Sequence, residues 1–322
     1  MEILSNGMGL SAVVFFPLVS ALVITLIPKG QEFLIKWFAL VSSLITFVIS
    51  VLLLLEFDFS SADKLQLGNK ISWIQSINAN YEIGIDGISL PLLVLSTFIS
   101  VLAIIYSIEH LPEPKSPKGF LALILVLETG MNGTFVALDL ILFFVFFEIV
   151  LLPMYFMIGI WGDRTVRTVA GFKNQIETRL YASIKFFVFT LFGSAFMLLG
   201  FLGLYYRGNK TFSIPELIEL GSAGAFTGTF ATLVFAVLFL GFAVKVPMWP
   251  LHTWLPDAHT AAPTVGSVLL AAILLKLGSY GFIRIAIPIL PEQAKAWAPA
   301  IAVLSAIGMI YGSLACLAQT DL

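Results

Sequence analysis

Apolar residues run through this chain in long blocks, broken by short polar stretches. A helix needs about 20 consecutive, mostly apolar residues to cross the hydrocarbon of a bilayer. Nine blocks meet that requirement: residues 10–27, 35–55, 89–108, 119–138, 140–160, 181–206, 228–247, 263–290 and 296–318. The pattern predicts an all-α fold, a polytopic transmembrane helix bundle. The polar stretch 57–88 is too long for a simple link. In it Gly68-Asn69, between Leu65-Gln66-Leu67 and Lys70-Ile71-Ser72-Trp73, reads as a hairpin turn, and Tyr81-Glu82-Ile83-Gly84-Ile85 alternates like a short strand. Irregular loop is the alternative. Further on, Ser213-Ile214-Pro215-Glu216 has capping-box spacing for a short helix closed by Gly221, and Leu217, Ile218 and Leu220 would lay it on the membrane surface.

The seventh block is the irregular one. It runs apolar from Gly228 to Val246, then meets Pro247, Pro250 and Pro256, with Trp249, His252, Trp254 and Leu255 between them. Proline lacks a backbone donor and clashes with the preceding turn. The helix is therefore expected to break within a turn or two of Lys245. Broken helices at membrane depth persist only where protein or a watery cavity covers the freed backbone. Transporters place ion sites at such breaks.

Composition sharpens the class. Of 322 residues 59% are hydrophobic and 11% charged, where soluble domains carry about 25% charged residues. The net charge of -2 comes without a basic cluster, so nothing points to nucleic acid. Cys316 is the only cysteine, which excludes an internal disulfide and a cysteine-built iron–sulfur or zinc site. Its apolar neighbours predict a buried thiol. Glu2 with no early Lys or Arg does not fit a cleaved signal, so the first block is read as a retained helix. Lys29, Lys36, Lys115, Lys118, Arg164, Arg167, Lys173 and Arg179 in the odd loops outnumber Lys64, Lys70, Arg207, Lys210 and Lys295 in the even ones. That bias predicts an N-terminus outside and odd loops in the cytoplasm. No cofactor fingerprint is present; Gly221-Ser-Ala-Gly224 follows no strand and lacks a P-loop lysine. Any redox chemistry belongs to a partner.

The candidate chemistry lies in charges set inside apolar blocks. Glu148 stands in Phe143-Phe-Val-Phe-Phe-Glu148-Ile-Val-Leu-Leu-Pro153, Lys245 in Leu238-Phe-Leu-Gly-Phe-Ala-Val-Lys245, and Lys276 in Val268-Leu-Leu-Ala-Ala-Ile-Leu-Leu-Lys276. A central charge costs about 2.5–3.5 kcal/mol on insertion scales, and such residues mark ion or proton pathways by default. Burial disfavours a charged lysine, whereas a carboxylate about 4 Å away favours it by up to roughly 4 kcal/mol at an effective dielectric of 20. Moving Glu148 toward or away from Lys245 would load or release a proton, with Lys276 the next step. The bland alternatives are carboxyl packing for Glu148, a helix-end snorkeller for Lys245 and a neutral core lysine for Lys276. Weaker candidates are Lys185, Glu128 and His252. His252 and His259, seven apart around a proline, do not make a metal pair; a proton relay or a bond to broken backbone suits His252 better. Asp257 is read as a cap or turn residue, and the Phe143, Phe144, Phe146 and Phe147 run as packing.

These motifs resemble one family. Phe143 to Tyr155, Lys245-Val-Pro-Met-Trp-Pro-Leu-His-Thr-Trp-Leu-Pro-Asp-Ala-His259 and Ala262-Pro-Thr-Val-Gly-Ser-Val to Gly281 look like the fifth, broken seventh and eighth helices of the antiporter-like membrane subunits of respiratory complex I, most closely of the chain M branch. Tyr181-Ala-Ser-Ile-Lys-Phe186 and Gly84-Ile-Asp-Gly-Ile-Ser89 fit it too. The resemblance implies an antiporter-like inverted-repeat fold: residues 1–118 as N-terminal helices with an outer-side hairpin loop, 119–290 as the first five-helix repeat, 291–322 as the start of an incomplete second. It implies proton transfer by Glu148, Lys245 and Lys276, coupled to quinone reduction in partner subunits that carry NADH, FMN, iron–sulfur clusters and quinone, with no redox centre in this chain. The partners implied are other complex I membrane subunits, neighbouring antiporter-like chains above all, and the membrane a bacterial plasma membrane. The family continues with further helices past Leu322. A subunit of a multi-chain cation/proton antiporter or membrane-bound hydrogenase is the alternative, and a structural membrane module the third.

Overall fold

The computed structural model describes residues 7–167 and 175–319. Glu2, Lys173 and residues 320–322 lie outside them, and with them part of the signal-peptide and loop-charge readings. Among the described residues, nine helices are long and apolar enough to cross a membrane: Met8–Leu26, Glu32–Glu56, Ser89–Glu109, Pro117–Val136, Leu140–Trp161, Thr178–Arg207, Gly228–Lys245, Thr264–Ile289 and Pro291–Leu317, the first to ninth spans. They match the nine blocks of the sequence.

The fourth span is the core of the bundle. Its residues from Leu127 to Val136 are all buried, and the first, second, third and fifth spans pack around it. Glycines allow the closest approaches. A Cβ on Gly133 would lie 2.3 Å from the Phe146 ring, so only hydrogen fits between the fourth and fifth spans there. The sixth and seventh spans pack side by side, and the eighth lies against the seventh. The ninth has no buried residue and leaves an apolar groove against the eighth.

A hairpin pairs β1 (Gln66–Ile74) with β2 (Ala79–Ile85), antiparallel, with Ile71 opposite Tyr81. Its turn is Gln75–Asn78, where Asn78 takes a left-handed φ of 53°, and not Gly68-Asn69. Gly68 instead sits in a register slip of β1, where a Cβ would lie 2.7 Å from the Ile83 carbonyl oxygen. A glycine that signals a turn in sequence is used here for close strand approach. One carboxylate joins hairpin and bundle: Asp139 accepts from the N–H groups of Ile141 and Leu142, starting the fifth span, and from the N–H of Asn80 on β2.

The capping box does not form. The surface helix Ile214–Ser222 has no side-chain bond from Ser213. Glu216 is taken by stronger partners, Lys70 Nζ at 2.8 Å and the Thr211 hydroxyl at 2.6 Å. Gly221 lies inside the helix against the Ile289 carbonyl, and Leu217 is buried against Gly208 rather than laid on a membrane surface. Cys316 is exposed, near the end of a ninth span in which no residue is buried.

Lys70 bridges Glu216 and, at 3.2 Å, Glu82. Bonds from Lys70 and Thr211 hold Glu216 below the usual carboxylate range. Its contribution is therefore complete above the ordinary glutamate pKa and is lost as pH falls through the lowered one. Burial pushes Glu82 up despite Ser213 and Lys70, so acidification relieves Glu82 and the acid-side loss rests on Glu216. Hydrogen-exchange protection of residues 66–85 is expected to fall on acidification below the ordinary glutamate range. Lys70→Met should lower it at pH 7 and weaken that dependence, the Thr211 bond to Glu216 remaining.

Candidate proton-transfer site

Glu148 and Lys245 both stand where a helix is interrupted. The fifth span is helical over Leu140–Ile149 and Leu151–Trp161, with Val150 between. Pro153 explains the gap: it has no N–H for the Ile149 carbonyl four residues back. Glu148 therefore sits in the last turn before the gap. The seventh span ends at Lys245, and turns lead through Pro247 to the helix Trp254–Ala261. The break expected from the prolines is there. It leaves carbonyls without helical donors, and the Trp254 indole N–H donates to the Val244 carbonyl at 2.9 Å.

Lys245 is 2% exposed, and among the described residues its ammonium has no hydrogen-bond acceptor. It lies 4.7 Å from the centroid of the Phe147 ring, a cation–π contact. Glu148 is half-buried; its Oε1 is buried without a hydrogen-bond partner, it is close enough to Lys245 for mutual attraction, and Ser194 of the sixth span lies beside it. No direct hydrogen bond joins carboxylate and ammonium. A Cβ on Gly278 would lie 3.0 Å from the Lys245 Cβ. Lys245 is thus level with the middle of the eighth span.

Lys276 is not brought to this pair. It is two residues from Gly278, about 200° around a helix of 3.6 residues per turn, and so turns away from Lys245. It is exposed in this chain, and its ammonium donates to the Ala271 carbonyl in the π-helical turn Leu270–Leu274. The expectation of a deeply buried third charge is corrected for the chain described here. The lysine follows a wide π-helical turn.

Lys185 pairs with Asp257 at 2.7 Å, both about one fifth exposed, which ties the sixth span to the helix after the break. Asp257 is thus an ion-pair partner rather than a cap or turn residue. Lys185 also stands 5.5 Å from the Tyr181 ring. His252 packs edge-on against Tyr311 of the ninth span, 5.2 Å between centroids, and its Nδ1 makes no bond to the broken backbone. Glu128 is fully buried but faces the second span, where Ser43 bonds it.

Reading the sequence missed Phe147, Ser194 and a second buried pair. Arg284 of the eighth span meets Asp86 at 2.6 Å, and its Nε donates to the Tyr280 hydroxyl, which donates to the Phe135 carbonyl. Burial raises the Asp86 carboxyl, but Arg284 and the Ser89 and Ile88 N–H groups outweigh it and hold it below the usual range. An arginine eight residues past Lys276 in an apolar block was the available signal.

Two family models together cover nearly the whole chain. The amino-terminal model of NADH-ubiquinone oxidoreductase chain 4 matches residues 13–134, and the transmembrane model of the NADH:quinone oxidoreductase/Mrp antiporter family matches residues 137–322. NADH-quinone oxidoreductase subunit M of Rhodobacter capsulatus is 40% identical over 97% of this chain and 60% of its own length. NADH-ubiquinone oxidoreductase chain 4 of Marchantia polymorpha is 38% identical over 98% and 59%. A chain of respiratory complex I from Thermus thermophilus superposes with a TM-score of 0.80 at 26% identity, over 97% of this chain and 60% of that one. A chain of an archaeal membrane-bound sulfane sulfur reductase shares the fold, with a TM-score of 0.70 at 21% identity over 88% and 41%. The chain thus spans about three fifths of the length of its curated relatives.

Proposed function

Because the chain belongs to the NADH:quinone oxidoreductase/Mrp antiporter family of membrane subunits, we propose that it translocates protons as the M-type subunit of an NADH-quinone oxidoreductase. The observation that carries this reading is the Lys245 ammonium, buried at the break of the seventh span opposite Glu148 and without a hydrogen-bond acceptor among the described residues. A buried ammonium without an acceptor is costly, and a nearby carboxylate reduces that cost. Lysine suits the task because its protonation responds strongly to desolvation. When the pair draws together the lysine holds the proton; when the pair separates the lysine gives it up. Glu148 and Lys245 carry the transfer, with Phe147 steadying the ammonium. Lys185 and Asp257 lead toward the pair from the side of the odd loops. Lys276 takes the proton onward across the face that the eighth span leaves open. His252, packed on the ninth span, is a secondary member of the route.

In this reading the electrons never enter the chain. NADH, FMN, iron–sulfur clusters and quinone belong to partner subunits, and neighbouring antiporter-like chains flank it in a bacterial plasma membrane, N-terminus outside. Residues 119–290 form the first five-helix repeat, and residues 291–322 open the second. The second reading is a subunit of a multi-chain cation/proton antiporter, because the matched family description names both kinds of complex. Purification from its native membrane through a tag on this chain separates the two. The first reading expects NADH-oxidising subunits and NADH-driven acidification inside inverted vesicles. Cation/proton exchange without any NADH-oxidising partner would replace it with the second.

A further inference from the structure

Glu128 lies eleven residues into the 20-residue fourth span, at mid-depth, and is 0% exposed. Its hydrogen-bond partner is the Ser43 hydroxyl of the second span, which donates to Oε2 at 3.1 Å and lies 3.4 Å from Oε1. An ionised carboxylate offers about four acceptor sites, and one hydroxyl proton meets one of them. Among the described residues, none of the other polar groups nearby bonds it. Asn132, one turn along the same face, accepts from Ser96 at 2.8 Å and donates to the Val13 carbonyl. Ser50 and Thr97 bond each other at 2.8 Å. Ser42, beside Ser43, has a buried hydroxyl with no partner.

The charged groups around it are distant or committed. The first span has none. The second carries Glu32, Lys36 and Glu56 in its end turns, and Lys36 donates to the Ile108 carbonyl. The third carries Tyr106 and Glu109 in its last turn. Lys118, at the start of the fourth span, donates to the Ile27 carbonyl. The fifth carries Glu148, attracted to Lys245, and Tyr155. Of the eighth, Arg284 is paired with Asp86, Tyr280 bonds the Phe135 carbonyl near the outer end, and Lys276 is exposed. On β2, Tyr81 bonds Ser11 and Glu82 meets Lys70.

A fully buried carboxylate without a cation or a full set of donors is strongly disfavoured, and such a group neutralises instead. We propose that Glu128 is a second proton-binding site, a carboxylic acid kept neutral between the second and fourth spans and separate from the Glu148–Lys245 pair. The inference does not depend on which complex contains the chain.

Infrared spectroscopy of the assembled complex tests it. At neutral pH and without sodium, the wild type is expected to show a protonated-carboxyl C=O stretch that is lost in Glu128→Gln and retained in Glu148→Gln. Loss of only carboxylate stretches in Glu128→Gln would overturn the proposal. So would disappearance of the C=O band when sodium is added at constant pH, which would make the pocket a cation site. If Glu128→Gln fails to assemble, Ser43→Ala serves instead. Removing its hydrogen bond should move the C=O band to higher frequency, and an unmoved spectrum would contradict the assignment.

Discussion

Lys245→Met is expected to stop quinone-coupled proton transfer while the complex still assembles. The side chain is similar in length, so the packing against Phe147 and Gly278 is retained, and the costly buried ammonium is removed. What disappears is the group that changes protonation. Lys245→Arg separates that role from simple charge balance. Arginine keeps the positive charge but does not release its proton in proteins, so it too should fail, with coupled turnover reduced at least about tenfold, a barrier increase of about 1.4 kcal/mol. Proton pumping in inverted vesicles, normalised to assembled complex, measures both. Full activity in Lys245→Arg would mean that only the fixed charge matters.

Asp257→Asn is expected to have the second largest effect. Its pair with Lys185 is about four fifths buried on both sides. Removing one partner of a buried pair costs roughly 3–5 kcal/mol, and replacing both with apolar groups of similar volume is often neutral; with some exposure remaining, roughly 3 kcal/mol is the expected cost here. The loss should appear as faster hydrogen exchange over residues 246–261, because the pair holds the segment after the break to the sixth span. Lys185→Met combined with Asp257→Leu should restore that protection. Pumping should stay low in the double variant if Lys185 lies on the route. Restored pumping would make the pair a structural tie alone.

Much of this was legible in the sequence, for reasons that particular residues make clear. Nine spans follow from bilayer thickness, which turns hydropathy directly into helices. The break after Lys245 follows from Pro247 and Pro250, because proline acts on its own local backbone. What needed coordinates was direction around a helix and partnership across the sequence. Lys276 sits in as apolar a block as Lys245, yet the position of Gly278 turns it to the opposite face. Asp257 reads as a local cap, whereas its partner Lys185 is 72 residues away. Glu216 has capping spacing, but Lys70, 146 residues away, takes its carboxylate. Gly68 has turn chemistry and serves strand contact. For Asp257, Glu216 and Gly68 a local signal met a contact distant in the sequence.

The three ionisable groups first singled out share one structural circumstance. Glu148 precedes the gap at Val150, Lys245 ends its helix, and Lys276 follows a π-helical turn. Interrupted helices free backbone carbonyls, and carbonyls near a lysine steady it whether charged or neutral. The Ala271 carbonyl already receives Lys276. The wide turn before Lys276 gives its ammonium a backbone partner, whereas Lys245 has none among the described residues.

The ratio of protons moved to electrons passed, measured on sealed vesicles holding wild type or Glu148→Gln, addresses the central claim most directly. Glutamine preserves size and hydrogen bonding but takes up no proton, so the account predicts a lower ratio, or arrested turnover, in a complex that assembles normally. An unchanged ratio at normal electron flux would contradict it.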